Sequence, residues 1–64
     1  QYVTSSRIRS VGFENNILEV EFLNGTVYQY YNVSLSEYQN FILSSSLGHA
    51  LSIIDKTHTY RRIF

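Results

Sequence analysis

His49, His58, Asp55 and four glutamates are the side chains with which this 64-residue chain could move a proton or hold a metal ion. Nucleophilic catalysis needs a hydroxyl or thiol beside a base that a third group orients. The chain has no cysteine, and no serine lies in a recognisable nucleophile motif. A Ser-His-Asp set using Asp55 needs distant segments to converge, so scattered surface residues are the simpler reading. Two isolated histidines without thiolates do not make a structural zinc site. Glu19 and Glu21, two apart on one strand, project from the same face and read as its solvated side rather than as an acid-base pair. The sequence therefore predicts no catalytic residue, no metal site and no cofactor, and a protein that is not an enzyme.

What remains is the chemistry of binding. Tyr28, Tyr30 and Tyr60 are candidate platforms on which unpaired bases stack, each stack being worth about 1–3 kcal/mol. Arg7, Arg9, Lys56, Arg61 and Arg62 are the candidate phosphate contacts, with Tyr60, Arg61 and Arg62 expected to act together. The plainer alternative is that the tyrosines form the core and the cations are ordinary surface charge. Formal net charge is +0, so no long-range attraction draws in a polyanion, and RNA or other single-stranded nucleic acid would bind weakly and salt-sensitively. A second hypothesis is a protein partner, either another copy or an adjacent domain, met through a free strand edge or a tyrosine-rich patch. A small ligand in a crease between sheet and helices comes third.

These side chains need elements to position them. Three segments rich in β-branched and aromatic residues read as strands: Arg7 to Phe13, Ile17 to Phe22 and Thr26 to Tyr31. Asn15-Asn16 and Asn24-Gly25 separate them with residues that tolerate the left-handed conformation, which makes an antiparallel meander. A two-residue loop at Asn15-Asn16 pairs Glu14 with Ile17, Phe13 with Leu18 and Val11 with Val20, setting four apolar side chains on one face. Ile8 is out of phase with Val11 and Phe13, so a bulge is expected near Ser10 or Gly12.

The second hairpin allows two registers. A three-residue loop with Gly25 as bulge residue sets Val20 against Tyr28 and Leu18 against Tyr30, and puts both tyrosines in the core. A two-residue turn puts them outside, beside Glu21 and Glu19. The first is favoured because it avoids burying Gln29 and keeps one continuous apolar face.

Ser34-Leu35-Ser36-Glu37 is a capping box, with Val33 and Tyr38 placed as a hydrophobic staple. Leu35, Tyr38, Phe41 and Ile42 recur at helical spacing, and Ser44 to Ser46 then weaken the helix. Ser46 caps a second helix in which Leu47, Ala50, Leu51 and Ile54 form one stripe and which ends near Lys56. The tail from His58 to Phe64 reads as a short edge strand or an extended arm. The fold class is thus α+β, a three-stranded antiparallel β-meander followed by two short helices and a short C-terminal edge strand.

Size limits what such a domain can do alone. A chain this short buries only about 60% of the surface its unfolded form exposes, so stability must come from packing, a partner or self-association. No apolar run approaches the roughly 18–20 residues of a membrane span, and no signal-peptide pattern opens the chain, so no membrane partner and a cytoplasmic address are expected. Asn24-Gly25-Thr26 and Asn32-Val33-Ser34 match the N-glycosylation pattern, but without an export signal they read as turn sequence. The chain begins at Gln1 rather than Met, which suggests processing or a longer parent.

The residues resemble a small module, the KTSC domain, found at the C-terminus of some lysyl-tRNA synthetases and as a stand-alone protein. Matching features are Ser5-Ser6, Ile8, Val11-Gly12-Phe13, Leu18 to Phe22, Gly25 and the central Tyr28-Gln29-Tyr30. They continue in Tyr38, Ser46-x-Gly48, Ile54, Tyr60 and Arg62, so the resemblance runs over nearly all of residues 1–64 as a single domain. It departs at Val33-Ser34, where the family usually has Val-Pro, and in a shorter first turn. The resemblance implies an α+β module with no established activity, for which attachment to a tRNA synthetase suggests RNA binding.

Overall fold

The structure is a computed structural model that describes residues 1–64. Asn15 and Asn16 both take positive φ, 53° and 62°, the conformation that turns a strand back on itself in two residues. This turn joins β1 (Ile8–Glu14) to β2 (Ile17–Phe22) with Glu14 opposite Ile17, Phe13 opposite Leu18 and Val11 opposite Val20. The ladder slips between Ile8 and Ser10, leaving Arg9 as the extra residue of a bulge. That slip returns Ile8 to the buried face beside Val11, as its phase requires.

Gly25, at φ 90°, closes the second hairpin. The Phe22 amide donates to the Thr26 carbonyl at 2.9 Å and the Gly25 amide to the Phe22 carbonyl at 3.0 Å, so the loop is the three-residue one. β3 (Val27–Tyr30) therefore sets Tyr28 against Val20 and Tyr30 against Leu18. The tail forms a further strand, β4 (Tyr60–Arg62), antiparallel to β3. The sheet thus has four strands in the order β1-β2-β3-β4, the meander of three extended by one at its edge.

α1 (Leu35–Ile42) starts from the reciprocal cap: Ser34 Oγ accepts from the Glu37 amide at 3.1 Å, and Glu37 Oε1 accepts from the Ser34 amide at 3.0 Å. Such a cap contributes about 1 kcal/mol. Val33 before it is fully buried, and Tyr38 stacks on Phe13 with ring centroids 4.6 Å apart. Leu35 departs from the helical stripe expected of it and is 57% exposed. It lies in the first turn, and only Tyr38, Phe41 and Ile42 further along α1 reach the core. α2 (Leu47–Thr57) is capped by Ser46 and buries Leu47, Leu51 and Ile54, with Ala50 packed beside them. No helix is long and apolar enough to cross a membrane.

The ten buried residues are all hydrophobic, and the Tyr30 hydroxyl is their one polar tip. Ligand chemistry must therefore lie at the margin of the core, where sheet and helix part.

Candidate functional site

The sheet and α2 part along a crease of about 320 Å³ whose floor is aromatic. Register places the rings there. Residues opposite each other in a ladder point to the same face, so Tyr60, facing Tyr30, and Arg62, facing Tyr28, share the helix side with both tyrosines. Ring centroids lie 5.8 Å apart for Tyr28 and Tyr60, 5.5 Å for Tyr30 and Tyr60, and 6.4 Å for Tyr28 and Tyr30. Phe22 abuts Tyr28 edge to face. Tyr30 is buried at the back, Tyr28 is half-buried, and Tyr60 is 50% exposed at the mouth.

The opposite wall comes from α2. Ser52 and Asp55 line the crease, and with Gly48 they follow i, i+4, i+7 spacing beside the buried stripe. A Cβ at Gly48 would stand 3.5 Å from Arg7 Cδ, so the Arg7 side chain runs over the helix start to reach the crease, which it also lines. Burial and then the Asp55 carboxylate push the Tyr30 phenol above its ordinary range. Its hydroxyl stays protonated at neutral pH and is available as a hydrogen-bond donor.

Four of the eight candidate residues, Arg7, Tyr28, Tyr30 and Tyr60, line this crease, and Arg62 shares their face of the sheet. The other three are placed elsewhere. Arg61, opposite Gln29, points to the far side of the sheet, so Arg61 and Arg62 diverge instead of acting with Tyr60 as one group. Arg9 sits at the bulge beside Glu21, with Nε 4.0 Å from its carboxylate and Nη2 donating to the Leu23 carbonyl at 3.4 Å. Lys56 lies in the last turn of α2, where a cation meets the negative end of the helix. Glu19 and Glu21 occupy the far face, accepting from Gln29 and Ser10 respectively at 2.9 Å.

The comparisons with known proteins bear on the whole chain. The KTSC domain family model matches residues 4–58. The chain belongs to the KTSC domain family. An uncharacterized protein of Stutzerimonas stutzeri (strain A1501) is 39% identical over 59 residues, covering 89% of this chain and 83% of that protein. The crystal structure of a KTSC domain protein from Yersinia pestis superposes with a TM-score of 0.91 at 37% identity, covering 100% of this chain and 94% of that one. The Y-x-Y of this KTSC domain, Tyr28-Gln29-Tyr30, is thus a strand whose two rings face the crease while Gln29 faces away.

Asp55, Ser52 and Phe22, none of them among the eight candidate residues, also line the crease, and Asp55 does so as a wall residue rather than a triad member. The stripe spacing of Gly48, Ser52 and Asp55 was the available signal. His58 is not the scattered surface residue that its place in the sequence suggests, because its side chain is only 10% exposed. Nδ1 lies 2.8 Å from the Tyr31 carbonyl and Nε2 2.7 Å from Glu37 Oε2, so it ties the end of β3 to the start of α1. No cluster of three or more His, Asp or Glu side chains could hold a metal ion.

Proposed function

We propose that this KTSC domain is a non-enzymatic binding module, cytoplasmic, that takes single-stranded nucleic acid, RNA first among its forms, in the crease between α2 and the β3–β4 edge. The observation that carries the reading is the half-exposed Tyr60 ring beside Tyr28, with Arg62 on the same face of the sheet and Arg7 lining the crease. Bases stack on such rings irrespective of sequence, and arginines beside them meet the backbone. Titration of the isotope-labelled protein with a short single-stranded RNA is expected to move the Tyr28, Tyr60 and Arg62 resonances and to leave Arg61 in place. Tyr60→Ala should weaken binding by about tenfold, in line with one lost stack. Its melting temperature should stay close to wild type, because half the ring is already in water. Shifts confined to Arg9, Arg61 and Lys56, or none at all, would refute the crease as the site.

One observation favours a protein partner as the second reading. Thr59 and Ile63 spend their hydrogen bonds on β3, so the alternating backbone groups of Tyr60 and Arg62 face outward on a free edge. Ile63 and Phe64 beside them are exposed. Sedimentation across a concentration series separates the two, since a dimer indifferent to RNA supports this reading alone.

A further inference from the structure

The crease carries a pair of opposite charges that do not meet. Arg7 and Asp55 both line it, and neither side chain forms an ion pair with the other or with any other residue. Arg7 is matched to a phosphate, as the proposed function uses it. Asp55 is not, because a carboxylate repels the backbone of the same ligand. Its place in the wall opposite the tyrosine floor suits a part of the ligand that donates hydrogen bonds.

An ionised carboxylate offers two acceptor oxygens and no donor. The Tyr30 hydroxyl lines the same crease, and burial and then the Asp55 carboxylate hold it protonated. A base lying on Tyr28 and Tyr60 can turn its Watson–Crick edge toward the α2 wall that carries Asp55. Guanine alone has two adjacent donors there, N1–H and the N2 amino group, which match both carboxylate oxygens at once. Cytosine and adenine each offer one amino group next to a ring nitrogen acceptor that the second oxygen repels. Uracil has one N–H between two carbonyls, both repelled.

We infer that Asp55 makes the crease selective for guanine among the four bases, which rests on the nucleic-acid reading above. Ser52, one turn earlier on the same stripe, adds a hydroxyl that can donate or accept toward the same edge. Asp55 is exposed and carries no ion pair, and Asn keeps its shape and an acceptor oxygen toward Tyr30, so Asp55→Asn leaves the core in place.

The test uses four short uridine-rich RNAs that differ only in the central base, titrated into wild type and into Asp55→Asn by NMR. The guanine RNA should bind wild type about tenfold more tightly than the others, the discrimination expected of one bidentate contact. Asp55→Asn should abolish the guanine preference, because the amide puts a donor where guanine needs an acceptor, and its donor–acceptor pair suits adenine and cytosine instead. Binding of all four RNAs equally to wild type overturns the guanine preference and leaves the nucleic-acid reading standing. A preference that survives in Asp55→Asn removes Asp55 as the reader. Absence of any crease shift with all four RNAs overturns the nucleic-acid reading, and guanine selection with it.

Discussion

His58 sits between two acceptors, a backbone carbonyl and a carboxylate, and only the doubly protonated imidazolium can donate to both. Hydrogen bonding to Glu37 accordingly raises its pKa above the ordinary value. The Ser34 amide, and then His58, hold the Glu37 carboxylate below its own. The signs oppose each other. The His58 contribution to stability is complete below pH 6.5 and fades as pH rises through the raised folded value. The Glu37 contribution is complete above pH 4.5 and fades as pH falls through the lowered one. The pair is therefore fully engaged between those two values, and the other group facing His58, Tyr31, contributes only its carbonyl. Denaturant melts across the pH range are expected to show a plateau there. His58→Gln should abolish the decline on the alkaline side, and Glu37→Gln should abolish the decline on the acid side and most of the alkaline one, since Glu37 is the main cause of the His58 shift. Because Glu37 is 45% exposed, the plateau should stand no more than about 1 kcal/mol above the alkaline limb.

At the scale of elements, the turns decide the register and the register decides the site. Beyond the two adjoining residues no heavy atom lies within 4 Å of where a Cβ on Gly25 would stand, so only the backbone resists a side chain there. At φ 90° that resistance is real. Gly25→Ala is expected to cost about 1–2 kcal/mol, read as a lower denaturation midpoint with unchanged slope. The two hairpins were legible in the sequence because Asn15-Asn16 and Asn24-Gly25 act locally and the apolar residues tolerate one pairing of each. The bulge was legible for the same reason, since Ile8 had to be brought into phase. β4 was only half legible: three residues of weak alternation do not say which edge receives them. Once Tyr60 pairs with Tyr30, the faces of Arg61 and Arg62 follow, and they could not be assigned before. The Glu37–His58 contact spans 21 residues and left no local trace, because Glu37 was already accounted for by the capping box.

For the whole molecule, balanced composition hides an uneven placement of charge. Arg9 and Arg61 face away from the crease, and only Arg7 and Arg62 flank its rings. With two phosphate contacts, log K against log salt should fall with a slope of about −1.4 for a single strand. A slope steeper than about −3 would mean that the cations of the far face take part. The two walls of the sheet side also differ in how they are held. β3 is an inner strand of a local meander, whereas β4 returns only after both helices and lies at the rim. The Ile63 amide, donating to the Val27 carbonyl at 2.7 Å, is thus expected to exchange with solvent deuterium through detachment of the rim alone. Amides of β2 should wait for global unfolding. A guest bridging both strands would act as a clasp, slowing deuterium uptake at Ile63 while the β1–β2 amides keep their pace.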